Sequence, residues 1–223
     1  DNEFRRIILR SLFRQAEILY RDREFDVRGN HLIANLRGLI WLGMFFAGNA
    51  PEKWFSTSLL LLESEVAEQV LADGGHFERS PGYHIVVMKD ILEVGFFLRR
   101  NNKIVPDWMI HAIERMSKYL LLITTPRGKV PLLKDTAFDV VSSAGDVGAA
   151  AAVFLDRPDL KPHQDIKILT VLWLKNEESS KLNSWRSILP SSSAKLLKES
   201  GHFLARDNDS KHFLILDVGQ LQT

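Results

Sequence analysis

The feature that most constrains this chain is a series of apolar blocks with helical spacing, separated by short segments rich in Gly, Pro, Asn and Asp. In the first block, apolar side chains recur at intervals of three and four residues, which is the period of one helix face. Because short loops join successive blocks, the pattern favours antiparallel packing in a helical bundle or an α/α toroid. The predicted helices cover 3–20, 30–46, 53–71, 81–98, 106–122, 145–154 and 166–175.

The amino end of the fourth predicted helix is the best defined boundary in the sequence. Ser80 suits the N-cap position, where its hydroxyl accepts a backbone N–H. Pro81 suits the first helical position, where no backbone donor is needed.

The residue pattern changes at about Glu177. A polar, serine-containing connection precedes two predicted strands, 201–206 and 212–217. A two-stranded hairpin alone is marginal in water. Because only six residues follow Asp217, we expect the β domain to be truncated here. We therefore divide the chain into a helical portion 1–176, a connection 177–199 and the start of a β domain 200–223.

The composition is that of a globular protein, since 45% hydrophobic and 26% charged residues are enough to build one sizeable core. The formal net charge of +1 argues against a general nucleic-acid binder, which normally carries a basic excess. The absence of cysteine excludes disulfides, thiolate catalysis and cysteine-ligated metals. No apolar run approaches the roughly 20 residues of a membrane span, and no leader peptide is recognisable.

A basic stripe runs along the first predicted helix. Arg6, Arg10 and Arg14 lie at i, i+4 and i+8 and therefore share one face. The simplest interpretation is a solvated surface. The alternative is a surface that binds an anionic polymer, because net charge does not report how charge is distributed.

Two polar clusters coincide with predicted helix starts. The segment 28–31 (Arg-Gly-Asn-His) opens the second helix, and the tract 73–84 opens the fourth. The first turn of a helix carries unpaired N–H groups and a partial positive charge, so it favours anions. If both starts line one cleft, Asn30 can donate a hydrogen bond to a sugar carboxylate, while Tyr83 and a nearby His move protons.

These side chains also have structural interpretations. Asn30 can cap its helix, and Tyr83 can be a packed aromatic with a satisfied hydroxyl. His31 and His84 can be hydrogen-bonded structural histidines.

The tract 73–84 is more informative as a whole. Glu78 and Arg79 alone can form a surface ion pair of little energetic value. However, His, Glu, Arg and Tyr combined with three glycines are typical of a functional loop on a rigid scaffold.

Both clusters resemble segments of the heparinase II/III-like polysaccharide lyases, and they are closest to members associated with bacterial exopolysaccharide. The similar segments are NHLIAN at 30–35 and EQVLADGGHFERSPGYH at 68–84. A third segment, PLLKDT at 131–136, resembles a family segment in which Asn or Gly often precedes the Asp. Lys134 departs from that pattern, so Asp135 carries less weight.

The resemblance covers about residues 30–219. It implies a mainly α fold, an incomplete α/α toroid of antiparallel helices followed by the first strands of an antiparallel β-sandwich. The segments 200–206 and 213–219 are similar to those first strands. In the family a His-rich motif follows and supplies a catalytic histidine, so the resemblance implies an incomplete active site in this chain. It also implies a periplasmic or secreted protein.

The activity that the resemblance implies is β-elimination at a 4-linked uronic acid of an acidic polysaccharide. Asn30 matches the residue that neutralises the sugar carboxylate, with His31 beside it, and Tyr83 matches the general base, the general acid or both. The ordinary pKa of Tyr is about 10, so cations must lower it for Tyr to act as a base. Arg79 and His84 are the expected sources of that charge. The expected substrate-binding residues are Glu78, Arg79, His84, His76 and Asp135.

Two other functions stay open. A helical glycan-binding or scaffold domain would show saturable binding without product. A hydrolase would need paired acidic side chains, for which Glu78 and Asp135 are the candidates. We expect an acidic polysaccharide as the partner, no nucleic acid, no membrane span, and neither a metal site nor a cofactor in this chain. A metal in the rest of the β domain stays open.

Overall fold

The computed structural model describes residues 2–137, 143–163, 176–187, 194–207 and 212–219. Within these ranges a mainly helical fold is followed by a small antiparallel sheet, which confirms the predicted fold class. The helices are α1 (Asn2–Arg21), α2 (Gly29–Phe45), α3 (Asn49–Gln69), α4 (Pro81–Arg100), α5 (Asp107–Ile123), α6 (Ala144–Leu155) and α7 (Asn176–Ser184), with a 3₁₀ turn at Pro158–Leu160. The strands are β1 (Ala194–Leu197), β2 (His202–Arg206) and β3 (Phe213–Asp217). The predicted helix 166–175 lies outside the described residues.

Helices α2, α4 and α6 run in the same direction. Near the carboxyl ends of α2 and α4, the rings of Trp41 and Phe97 lie 5.5 Å apart. Near the carboxyl ends of α4 and α6, the rings of Phe96 and Phe154 lie 5.0 Å apart. The amino ends of these three helices therefore share the opposite end of the helical layer.

The main core lies between α2, α4, α5 and α6, where apolar side chains such as Leu36, Met88 and Ile113 are fully buried. Helix α1 packs separately, through Ala16, against Leu39 and Trp54. In the part of the chain that the structure describes, no helix combines the length and the apolar character needed to cross a membrane.

The predicted irregular connection 177–199 is wrong in part, because it contains most of α7 and all of β1. Helix α7 is mostly polar. Its carboxyl end is stabilised by a residue from another part of the chain, Lys161, whose Nζ donates to the carbonyls of Leu182 and Trp185. Strand β1 is mostly exposed and is defined by its pairing with β2. Neither element has the apolar periodicity on which the prediction relied.

The start of α3 was also predicted too late. The helix begins at Asn49, four residues before the predicted Lys53. Pro51 is compatible with this start because the first helical turn needs no backbone donor there.

The sheet packs its central strand onto the helices. Strand β2 pairs antiparallel with both β1 and β3, and its buried residues alternate with less buried ones. The guanidinium of Arg206 donates to the carbonyls of Leu122, at 2.8 Å, and Thr124 at the carboxyl end of α5. This contact fixes the far end of β2 to the helical layer.

Candidate active site

The two sequence clusters meet at the amino end of α2. Arg28, which precedes the helix, offers no side-chain cap. Instead, the carboxyl group of Glu78 accepts a hydrogen bond from the backbone N–H of Asn30. Its Oε1 lies 2.6 Å from where a Cβ would stand on Gly29, whose φ is +55°. Glycine is therefore favoured at this position, both by the positive φ and by the approach of Glu78.

The environment of Glu78 brings together four of the predicted site residues. Burial raises the pKa of the Glu78 carboxyl, and the hydrogen bond from Asn30 opposes that rise. The charge of Asp135 raises the same pKa, while His31 lowers it. Asn30, His31 and Asp135 therefore all lie within electrostatic range of Glu78.

The first turn of α4 is stabilised by the predicted N-cap Ser80 and by Thr136, to which the sequence assigned no role. Ser80 Oγ accepts the backbone N–H of Tyr83 at 3.4 Å, which confirms the predicted N-cap. Thr136 Oγ1 lies 3.0 Å from Ser80 Oγ and accepts the N–H of Gly82 at 2.9 Å. The third family-like segment, 131–136, is thereby attached to the helix start that carries Tyr83.

The side chains of Asn30 and Tyr83 are both available for a ligand. Each residue is partly exposed. Among the described residues, neither the Asn30 amide nor the Tyr83 hydroxyl has a hydrogen-bond partner, and Asn30 stands inside α2 and not at its N-cap. The structural interpretations considered for these two side chains, a cap and a satisfied hydroxyl, are therefore not what the structure shows.

His76 and His84 point into the interior, and each is only 1% exposed. The Nε2 atom of His76 lies 3.0 Å from Gln69 Oε1, and Nε2 of His84 lies 3.1 Å from the carbonyl of Met116. Burial lowers the pKa of both imidazoles to about 3. His84 is therefore neutral at neutral pH and does not supply the positive charge expected beside Tyr83.

Three basic residues with left-handed backbone border the site. Among the described non-glycine residues with positive φ are Arg28 (57°), Arg79 (57°) and Lys134 (52°). Such conformations cost free energy and are concentrated at functional sites. Lys134 Nζ pairs with Asp217 Oδ2 at 2.8 Å, and Arg79 lies against the backbone of Gly219. Arg79 and Lys134 thus connect the candidate site to the end of β3.

A second polar contact joins the sheet to the same tract. The Asp73 carboxylate accepts the backbone N–H of Ser200 at 2.8 Å and its hydroxyl at 2.6 Å. Nearby, the Tyr119 hydroxyl lies 2.8 Å from His202 Nδ1, and the Tyr119 ring lies 4.7 Å from the His84 ring. The sequence did not indicate the contacts of Asp73 with Ser200 and of Tyr119 with His202, because each joins residues more than 80 positions apart.

His31 and the acidic residues do not form a metal site. His31 is exposed, and its Nδ1 lies 3.6 Å from Glu24 Oε1. Across the described ranges, no three His, Asp or Glu side chains come together in a way that could hold a metal ion.

The family follows from a comparison of the sequence with known proteins. The profile described as "Heparinase II/III N-terminus" matches residues 1–161. The chain belongs to the heparinase II/III family. It is similar to the heparin-sulfate lyase of Pedobacter heparinus, with 29% identity over 132 residues, 57% of this chain and 20% of that protein. It is also similar to the heparin-sulfate lyase of Bacteroides thetaiotaomicron, with 28% identity over 115 residues, 50% of this chain and 16% of that protein.

Solved structures of the heparinase II/III family share the fold. The crystal structure of heparinase III has a TM-score of 0.65 at 20% identity, covering 87% of this chain and 29% of that one. The crystal structure of a heparan sulfate lyase HepC mutant from Pedobacter heparinus has a TM-score of 0.63 at 21% identity, covering 93% of this chain and 30% of that one. The chain thus spans about a fifth of the curated relatives' length and less than a third of these structures' chains.

Proposed function

We propose that this chain provides the helical side of the active site of a polysaccharide lyase, which cleaves an acidic, uronic-acid-containing glycan by β-elimination. The proposal depends on one observation, the hydrogen bond from Asn30 to Glu78, because it joins the amino ends of α2 and α4. Similarity to heparin-sulfate lyases supports an acidic polysaccharide as the substrate class.

Asn30 is proposed to neutralise the uronate carboxylate. The proton on C5, next to that carboxylate, is poorly acidic while the carboxylate is charged. A hydrogen bond from the Asn30 amide, together with the positive amino end of α2, stabilises the enolate-like anion that forms when the proton leaves. His31, one position further and exposed, is proposed to assist from the same helix turn.

Tyr83 is proposed to move the proton. In the elimination, a base takes the proton from C5, and its electron pair forms the C4=C5 double bond. The bond from C4 to the glycosidic oxygen breaks, and that oxygen takes up a proton from an acid. Tyr83 is proposed to act as the base, the acid or both, and the histidine that the family resemblance implies is proposed as the other proton carrier.

The remaining predicted residues divide into two groups. Glu78, Arg79 and Asp135 are partly or fully exposed, and we propose that they contact the sugar. For the buried His76 and His84 we propose support of the loop and of the first turn of α4, since their rings contact protein groups.

The test is to make Asn30→Ala and Tyr83→Phe in the complete protein and to follow the ultraviolet absorbance of the unsaturated product on several uronate polymers. Each variant is expected to lose at least about 100-fold in kcat, which is the usual contribution of an acid–base residue such as Tyr83 and of a donor that stabilises a developing anion, as proposed for Asn30. Tyr20→Phe and Asn101→Ala are matched controls, because Tyr20 contacts Thr57 and Asn101 lies at the other end of α4.

Three outcomes would contradict the proposed function or its residue roles. Near-normal rates in both variants would remove these residues from the mechanism. Saturable glycan binding without any product would indicate a non-catalytic binding domain. Release of a saturated product that carries oxygen from solvent would indicate a hydrolase, with Glu78 and Asp135 as its acidic pair.

A further inference from the structure

The amino-terminal half of α1 carries more positive than negative charge. Within 2–14 there is one acidic residue, Glu3, although the whole chain is nearly neutral at +1. Four arginines are exposed there, and within the described ranges none of them forms an ion pair: Arg5, Arg6, Arg10 and Arg14.

These arginines line an open, shallow groove along α1, and Glu17 is also among its lining residues. Arg6 and Arg10 are one helical turn apart, so their positions repeat at about 6 Å along the axis. Between the arginines, the partly buried side chains of Leu9 and Phe13 form an apolar floor. The open groove that they line has a volume of ≈ 830 Å³.

The groove is separate from the candidate active site. Helices α1 and α2 are antiparallel, since Leu19 lies 3.7 Å from where a Cβ would stand on Gly38 and the rings of Phe13 and Phe46 lie 5.3 Å apart. The arginine-rich half therefore extends past the carboxyl end of α2. Asn30 is at the amino end, roughly 24 Å away along a helix that rises 1.5 Å per residue.

We propose that this arginine groove is a second binding site for the anionic glycan, separate from the site of cleavage. The identity of the ligand rests on the proposed function, whereas the site itself rests on the charge and shape of α1. All the basic residues of α1 are arginines. The guanidinium fork binds two oxygens of a carboxylate or a sulfate group through paired hydrogen bonds, which the lysine ammonium cannot do.

The residues of the groove suit a sugar polymer. Arginines border an apolar floor on which the apolar face of a sugar ring can pack, and the row from Arg6 to Arg14 is about 12 Å long. We therefore assign the groove to a glycan segment several sugars long, bound while another part of the same chain is cleaved.

The experiment measures the Kd of this chain for size-defined heparan sulfate oligosaccharides by calorimetry at several salt concentrations. The double variant R6E/R10E is expected to weaken binding at least about tenfold, as two charge-assisted pairs are lost. The control R127E/R186E changes net charge equally at two exposed positions outside α1 and is expected to bind like the parent.

The lyase proposal and the groove proposal fail in different ways. Equal losses in the two double variants would show non-specific attraction and overturn the groove. Binding of anionic vesicles or duplex DNA at least as tightly as the glycan, lost in R6E/R10E, would also overturn it, since the ligand class would be wrong. If the complete protein forms no unsaturated product but R6E/R10E alone loses affinity, the groove stands and the lyase assignment falls.

Discussion

The carboxyl group of Glu78 accepts a hydrogen bond from the backbone N–H of Asn30 at the amino end of α2. An anion from the protein itself therefore occupies the helix end that the sequence suggested as a site for the sugar carboxylate. Within the described ranges, the Asn30 side-chain amide has no hydrogen-bond partner. In the proposed lyase, the Asn30 side chain therefore contacts the substrate carboxylate, and Glu78 holds the end of the helix in position.

The first prediction concerns the pH dependence of stability at Glu78. Its folded pKa is raised above the ordinary 4.5, so its stabilising effect is fully present below pH 4.5 and is lost as the pH rises through the folded pKa. The stability of Glu78→Gln relative to the parent should therefore improve from pH 4 to pH 8. Urea unfolding at both pH values checks this, with exposed Glu63→Gln as the control. If the difference in the free energy of unfolding between Glu78→Gln and the parent did not vary with pH, the described environment of Glu78 would be wrong.

The second prediction concerns acid unfolding through the buried histidines. His76 and His84 have folded pKa values of about 3 against an ordinary 6.5, so the fold holds them neutral. Their contribution to the free energy of unfolding is present above pH 6.5 and is lost as the pH falls from 6.5 towards 3. His84→Gln, which keeps a donor for the Met116 carbonyl, should show a flatter decline of the free energy of unfolding over this range. An unchanged slope would mean that His84 is not buried as described.

The third prediction concerns the buried charges between α2 and α4. Arg37 Nη1 contacts Asp90 Oδ1 at 2.5 Å and Glu93 Oε2 at 2.7 Å, and both carboxyl groups are almost fully buried. Arg37→Met should cost about 3 kcal/mol at pH 8, because it leaves the buried Asp90 carboxylate unpaired and leaves Glu93 with Lys89 as its partner. Chemical denaturation would measure this loss.

The loss in Arg37→Met should be smaller at pH 5. Burial raises the pKa of Asp90 to about 6, so Asp90 is mostly protonated there and needs its partner less. Arg37→Lys, which keeps the charge, should recover part of the loss at pH 8. A loss that is equal at the two pH values would contradict the raised pKa of Asp90.

The fourth prediction concerns the attachment of the sheet. Asp73→Ala removes the acceptor of two hydrogen bonds from Ser200, so the β2 amides should exchange with solvent faster by at least about tenfold. The amides of α2 and α3 should keep their protection, because their core does not involve Asp73. Hydrogen exchange followed by mass spectrometry resolves the two regions. Uniformly faster exchange would show global destabilisation and not a local contact.

Local sequence signals predicted the structural features that are determined by residues adjacent along the chain. The Ser80-Pro81 start was predicted correctly, because an N-cap needs only the first turn of its own helix. Strand β1 and helix α7 were missed, because pairing with β2 and the contacts of Lys161 hold them in place. For the same reason the contact of Tyr119 with His202 could not be predicted, since only the fold brings these residues together.

For the candidate site, the sequence identified side chains but not their environments. It grouped Glu78 and His84 as substrate-binding residues from one tract. The structure separates them, since Glu78 reaches the start of α2 while His84 turns into the core and is 1% exposed. Which side of a helix turn faces solvent depends on the elements packed against it.

The central claim is that Asn30 and Tyr83 act on one sugar in one step, and a double-mutant cycle on kcat/KM tests it most directly. Rates of unsaturated product formation would be compared for the complete protein, Asn30→Ala, Tyr83→Phe and the double variant. Residues that act together are strongly non-additive, so the double variant should lose little more than the worse single variant. Losses that multiply would show that the two residues act independently and would contradict the shared site.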